Sequence, residues 1–304
     1  MTILSLDSVH IAFDEDSLWL LNICLAIIMF GVALDIRLAD FKALFKSPKP
    51  IIVGLSSQLI LLPVLTLILI YIAEPLPSLA LGMMLVAACP GGNISNFMSS
   101  MAKGNIALSV SLTACTTISA IIFTPLIFTL LGTSYAPTKE LLKTFSVSIS
   151  EVAFTVTFIL GIPLISGIMF NHYLLKWTKK LRVVIKPLSI AIFVAFVGVA
   201  FYKNKEIFLN YFQYIVYLVF AHNAIAFLGA YLYSGLFQLS LYDRRSITIE
   251  TGIQNSGLGL ILIFSFFDGL GGMAMIAAWW GIWHILSGLT LATFWSYKPV
   301  SLTT

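Results

Sequence analysis

The sequence predicts an all-α polytopic membrane protein with nine transmembrane helices, and three observations predict it. Of 304 residues, 59% are hydrophobic and only 10% are charged, against about 45–50% and about 25% in an average soluble domain. The apolar residues fall in long continuous runs, so most elements lack the solvated face that a soluble helix needs. The 17 basic and 13 acidic residues cluster mainly in the short segments between those runs. A soluble enzyme, a disordered chain and a coiled coil are excluded by this balance. A membrane β-barrel would need short alternating strands.

A helix crossing about 30 Å of hydrocarbon needs about 20 residues. The runs place spans at about 17–35, 50–73, 78–101, 104–132, 146–170, 187–202, 208–237, 246–267 and 272–296. Residues 1–16 form a polar, acidic head (Asp7, Asp14, Glu15, Asp16) without the basic n-region of a signal peptide. Residues 17–297 are the transmembrane unit, and 298–304 are a short tail. The basic segment from Trp177 to Lys186 reads as a solvated loop, or as a stretch lying on the membrane face with Leu181, Val183 and Val184 toward lipid. The loop is preferred, because positive loops are the rule on one side of a membrane.

Orientation follows from the same rule. With the N-terminus outside, the inner side holds Arg37, Lys42, Lys46, Lys49, Lys103, Lys176, Lys179, Lys180, Arg182, Lys186, Arg244, Arg245 and Lys298, which is 13 of the 17 basic residues. Lys139, Lys143, Lys203 and Lys205 remain outside with the acidic head. The expectation is an inner or plasma membrane protein with its N-terminus outside and its C-terminus cytoplasmic. The net charge of +4 is spread over loops, so no nucleic-acid partner is expected. Cys24, Cys89 and Cys115 lie in apolar runs without paired spacing and read as free thiols.

Two spans are interrupted. In the third, Pro90-Gly91-Gly92 breaks an apolar run at its middle, and Asn93, Ser95, Asn96, Ser99 and Ser100 follow. Proline removes a backbone donor, and glycine adds backbone freedom. In the eighth, Glu250, Thr251, Gln254, Asn255 and Ser256 are flanked by Gly252 and Gly257. One such interruption is an ordinary kink. Two, both glycine-flanked and rich in amides and hydroxyls, point to unwound backbone lining an enclosed cavity, as at the binding site of a secondary transporter.

Glu250 is the sharpest residue, because a carboxylate within a span costs about 2.5–3.5 kcal/mol on insertion scales. It reads as an ion ligand, with a structural or protonated glutamate as the alternative. Glu151 reads as solvated near an outer end. On the fourth span Ser109 and Thr113 share a face, while Thr116 and Thr117 suit bonds to their own helix carbonyls. Gln58 is the lone amide of the second span, where interhelical glue is the ordinary role. His284 reads equally as a buried neutral histidine and as a donor to an anion. His222 and Asn223 read as structural.

At these residues the sequence resembles the bile acid:sodium symporter family. The resemblance is carried by Cys89-Pro90-Gly91-Gly92, by Ser95-Asn96, by the run from Ala102 to Val110, and by Glu250-Thr251-Gly252-Ile253-Gln254-Asn255-Ser256, and the stretch from Met29 also resembles the family's first shared helix and its following basic loop. It implies inverted repeats, a core (about 50–132 and 208–296) with two crossing broken helices, and a panel (about 17–35, 146–170 and 187–202). Transport would proceed by rocking of one against the other. It implies one sodium site from Ser95, Asn96, Ser109, Thr113 and Glu250, and a second from Gln58, Glu250, Gln254 and the carbonyls of Thr251 and Ile253. The organic anion would lie near Asn93, Asn255 and His284. Pro90, Gly91, Gly92, Gly252 and Gly257 would be the hinges. The chain departs from the family at Asn93, at Ile94, and at Asn105, where the family typically has Asp.

The expected function is sodium-coupled import of an organic anion, bile-acid-like or a small carboxylate or sulfonate. No cofactor is expected beyond Na⁺ as coupling ion; the partners are sodium, the substrate and the lipid bilayer, with a monomer as the default. The alternatives are proton coupling through Glu250, arsenite-type export using Cys89, and, from another class, a membrane enzyme or sensor. That last class lacks any nucleophile–base or metal spacing in its support.

Overall fold

The computed structural model describes residues 6–8, isolated positions between 23 and 34, residues 48–92, 94–145, 154, 157–203 and 205–298. The expected first span, the first part of the fifth, Cys24, Asn93 and Glu151 fall largely or wholly outside the described residues. Every extended element among the described residues is helical. They are α1 (Pro48–Ala73), α2 (Pro77–Ala88), α3 (Ile94–Met101), α4 (Ile106–Ser134), α5 (Ala136–Lys143), α6 (Ile162–Tyr173), α7 (Leu175–Lys203), α8 (Lys205–Leu236), α9 (Leu241–Gly252), α10 (Ser256–Phe266) and α11 (Gly271–Ser296). Within these, Pro48–Ala73, Ile106–Ser134, Tyr211–Leu236 and Gly271–Ser296 are long and apolar enough to cross a membrane.

The third and eighth expected spans are each two half-helices, α2/α3 and α9/α10, separated at Pro90-Gly91-Gly92 and at Ile253-Gln254-Asn255. The apolar halves, α2 and α10, sit at the centre of the bundle. Residues 78–88 of α2 are all buried, and so is 258–264 of α10. They pack with Met273, Ile276 and Trp280 of α11 and with Phe128 of α4 and Phe267. Such helices are apolar on every side because every side meets another helix. Gly82 permits α2 to lie against α11: a Cβ there would stand 2.9 Å from Met273 Cα and from Ile276 Cβ. Asp7, in a short turn at Leu6–Ser8, accepts from the Ser78 amide at 2.8 Å and so caps α2.

Three local features depart from a plain reading of the spans. A π-turn, Ser57–Leu61, lies inside α1, and a second, Thr157–Gly161, precedes α6. Each is followed by a proline, Pro63 or Pro163, whose missing amide and ring displace the regular ladder one turn back. The segment Trp177–Lys186 is not a loop: it is the first part of α7. Lys, Leu and Arg are good helix formers and no glycine interrupts them, and Arg182 donates to the Leu34 carbonyl at 3.2 Å. The short helix α5 occupies part of the link between the expected fourth and fifth spans.

Candidate functional site

The two breaks meet. The Gly92 amide donates to the Ile253 carbonyl at 2.8 Å, the Asn255 amide donates to the Pro90 carbonyl at 2.8 Å, and Gly91 faces Gln254 in an antiparallel bridge. Unwound backbone thus satisfies itself across the pair of breaks instead of facing lipid.

The half-helices entering the crossing are closed by side chains from the long helices. Thr124 of α4 donates to the Ala88 carbonyl at the end of α2 (2.8 Å). Asn223 of α8 donates to the Gly252 carbonyl at the end of α9 (2.8 Å), and its oxygen accepts from Ser287 of α11 (2.6 Å). Asn255 caps the outgoing α10 by accepting from the Leu258 amide at 3.1 Å. Each meets one of the carbonyl or amide groups that a helix end leaves without an internal partner.

Glu250, on the last turn of α9, is wholly buried at this crossing. Ser95 of α3 and Ser109 of α4 both donate to Oε1. Thr113 of α4 lies 3.0 Å from Oε1 and 2.9 Å from Oε2. Gln58 Nε2, from the π-turn of α1, lies 3.5 Å from Oε2. Asn96 joins through its oxygen, which faces the Ser109 hydroxyl at 2.9 Å and that of Thr113 at 3.3 Å. No Lys, Arg or His forms an ion pair with Glu250 among the described residues. A buried carboxylate without a counter-charge is costly by several kcal/mol. Hydroxyl donors offset part of that cost and leave the charge itself unmatched.

On the other flank, Ser57 shares a 2.8 Å hydrogen bond with Thr251. Gln254 Nε2 donates to the Thr251 carbonyl at 2.8 Å. The carbonyl oxygens of both amides, Gln58 Oε1 and Gln254 Oε1, are buried without a hydrogen-bond partner. Few buried polar groups in native proteins lack one, and each that does calls for an explanation. The Thr251 and Ile253 carbonyls each accept one bond and retain a second lone pair.

The structure therefore brings together Ser95, Ser109, Thr113, Gln58 and Glu250, with Asn96 one bond removed and Thr251, Ile253 and Gln254 at the adjoining break. Carboxylate, hydroxyl, amide and backbone oxygens are the ligands a hard cation takes. Among the described residues no group of three His, Cys, Asp or Glu could hold a metal.

Asn255 and His284 are not hydrogen-bonded to this cluster or to each other. The Asn255 oxygen is engaged as a cap, and its amide nitrogen lies 3.8 Å from Met29 Sδ. His284 is buried on α11 with Nδ1 unpartnered, its ring edge-on to Trp280 at 6.5 Å. His222 shares a 2.6 Å hydrogen bond with Thr66 through Nε2 and lies 4.7 Å from the Trp280 ring, and its Nδ1, like that of His284, is buried without a partner. Thr116 and Thr117 bond back to the carbonyls of Leu112 and Thr113, at 2.9 and 2.6 Å.

In this conformation the glycines at the breaks provide close approach and do not occupy the left-handed region. Gly91, Gly92 and Gly252 are not among the glycines with positive φ. A Cβ on Gly91 would stand 2.9 Å from Glu250 Oε2 and 3.2 Å from Gln58 Nε2. One on Gly252 would enter the Phe227 ring. Gly257 lies in the first turn of α10, outside the unwound stretch. Asn223, read as structural, is so placed, closing the end of α9; sequence reasoning passed over Ser57, for which the proline two positions after the Ser57–Leu61 turn was the available signal.

The profile of the Sodium Bile acid symporter family matches residues 22–211. The uncharacterized sodium-dependent transporter YocS of Bacillus subtilis is 34% identical over 278 residues, covering 91% of this chain and 83% of that protein. The probable sodium/metabolite cotransporter BASS1 of Arabidopsis thaliana chloroplasts is 30% identical over 271 residues, 89% of this chain and 65% of its own. The human P3 protein is 27% identical over 260 residues, 86% of this chain and 53% of its own.

Proposed function

The chain belongs to the sodium bile acid symporter family, and from that membership we propose a sodium-coupled symporter that imports an organic anion by alternating access. The family is one of sodium-dependent transporters, not enzymes, and the chain is a multi-pass membrane protein. The observation that carries the proposal is Glu250, a wholly buried carboxylate with neutral oxygen-bearing neighbours and no cationic partner among the described residues.

In this proposal Ser95, Asn96, Ser109, Thr113 and Glu250 hold one sodium ion. The hydroxyls turn their lone pairs toward the cation and release the carboxylate. Gln58, Gln254, Glu250 and the carbonyls of Thr251 and Ile253 hold a second. A proton carrier would need Glu250 alone, whereas the unpartnered oxygens of Gln58 and Gln254 add neutral ligands that suit a hard cation. Sodium would draw both breaks into one arrangement and so raise affinity for the anion, a reciprocal coupling. The anion, of bile-acid or small carboxylate or sulfonate class, lies near Asn93, Asn255 and His284, and core rocks against panel. The end that gathers Lys103, Arg244, Arg245 and Lys298 faces the cytoplasm of an inner or plasma membrane, with the N-terminus outside.

The test is uptake of a panel of labelled organic anions by membrane vesicles under an inward sodium gradient against an equal potassium gradient. Sodium-driven uptake that is lost in Glu250→Ala, with the variant still inserted, is the expected result. Full sodium-driven uptake in Glu250→Ala would refute the ion-site assignment.

A further inference from the structure

Glu250 meets oxygens carried by α3 and α4, so its geometry depends on how three helices are held in register. The ties between them lie at the basic end of the bundle. Arg245, on α9 and only 4% exposed, donates through Nη1 to the Ala102 carbonyl just past α3 (2.8 Å) and to the Trp295 carbonyl of α11 (3.2 Å). Through Nη2 it donates to the Lys298 carbonyl (3.1 Å), and its guanidinium lies 5.7 Å from the Trp295 ring. No carboxylate forms an ion pair with it among the described residues; its charge rests on the carbonyl ends of two helices, where the helix dipole favours a cation.

The start of α4 is tied to the same turn of α9. The Asn105 amide donates to the Tyr242 carbonyl (3.1 Å), its side chain to Asp243 (2.8 Å), and Ser246 donates to the Asn105 carbonyl (2.9 Å). Gly104 lets the link between α3 and α4 approach α9, since a Cβ there would stand 2.7 Å from Ser246 Oγ. Arg244, by contrast, turns to α8, donating to the Tyr231 carbonyl at 3.0 Å with its guanidinium 4.0 Å from that ring.

We propose that Arg245 is a positioning residue for the coupling carboxylate: its two-nitrogen fork fixes the end of α3 to α9 and α11, and thereby keeps Ser95 and Asn96 in register with Glu250. This rests on Glu250 being the sodium ligand. A lysine keeps the charge but has no planar fork with which to bridge carbonyls of two helices.

The experiment is thermal unfolding of purified, detergent-solubilised protein against sodium concentration, with choline holding ionic strength constant, for the wild type, Arg245→Lys, Arg245→Gln, Glu250→Ala and the surface control Lys143→Ala. A ligand that binds the folded state raises stability once its concentration passes its dissociation constant. The onset of the sodium-induced rise should move to about tenfold higher sodium in Arg245→Lys, within the usual range of coupling between sites, and at least as far in Arg245→Gln. Lys143→Ala should keep the wild-type onset. A purely stabilising role would lower the melting temperature without sodium and leave the onset in place; that result in Arg245→Lys overturns the proposal. Should Arg245→Gln not fold, the lysine variant alone decides. Absence of any sodium-specific onset in the wild type would overturn both the ion site and the role of Arg245, whereas an onset lost in Glu250→Ala but unmoved in Arg245→Lys would overturn only the latter.

Discussion

The two breaks contribute different things to one crossing. The first, Pro90-Gly91-Gly92, supplies room: Gly91 lies where a single added carbon would touch both Glu250 and Gln58. The second, Ile253-Gln254-Asn255, supplies oxygens, and follows directly on the half-helix that carries Glu250. Their backbones pair with each other, and each incoming half-helix is closed by a side chain from a long helix, Thr124 at one and Asn223 at the other. In the proposed site a break without ligands is therefore as necessary as a break that bears them. The carboxylate can approach the crossing only because the opposite backbone has no side chain in its way.

The largest effect expected from breaking this division of labour is in Gly91→Ala. The added methyl displaces Glu250 Oε2 or Gln58, and overpacking of this kind costs about 1–3 kcal/mol. Sodium-induced stabilisation should fall as severely as in a ligand variant, although no ligand has been removed. Gly92→Ala, whose nearest neighbour would be the Gln254 carbonyl at 3.2 Å, should have the smaller effect in the same thermal titration.

Next come the two caps. Asn223→Ala and Thr124→Val each leave a buried carbonyl without its donor, worth about 1–3 kcal/mol, and both should lower thermal stability without sodium. Only Asn223→Ala should also weaken the sodium response, because α9 carries Glu250 and α2 carries no ligand. An equal loss of response in both variants would show that the breaks act as one unit.

Much of this was legible in the sequence. Pro90-Gly91-Gly92 and the polar stretch from Glu250 to Ser256 stand out because apolar runs give them contrast. Ser109 and Thr113 share a face by helical spacing alone, and both reach Glu250. What was not legible depends on contacts distant in sequence. The pairing of Gly92 with Ile253 joins opposite halves of the chain, so the clearance that the glycines provide there could not be read beside their flexibility. Arg245 read only as a charge setting orientation, because nothing local to it names the carbonyls it holds. Trp177–Lys186 read as a loop because its charge pattern was weighed above its helix propensity.

Asn105 gives a smaller and sharper test. Its side chain donates to Asp243 at 2.8 Å while its oxygen caps α4 by accepting from the Leu108 amide at 3.1 Å. Aspartate can still cap but cannot donate, and two carboxylates would then face each other. Asn105→Asp should destabilise the protein by about 1 kcal/mol, and adding Asp243→Asn should restore most of it; failure of the double variant to recover would mean the pair is not coupled.

The smallest effect is expected from Cys89→Ser. The thiol is buried beside the first break, with Gly259 its near neighbour. Serine there costs modest stability and should leave sodium-driven uptake intact, whereas loss of transport with retained sodium binding would favour thiol chemistry with arsenite.

The most direct test of the central claim, that Glu250 at the crossing of two broken helices is a cation ligand, is equilibrium binding of ²²Na⁺ to the purified protein and to Glu250→Gln, with potassium and choline as competitors. The expected result is saturable binding that potassium does not displace and that the glutamine variant loses. Undiminished ²²Na⁺ binding in Glu250→Gln, or no saturable binding in the wild type, would contradict it.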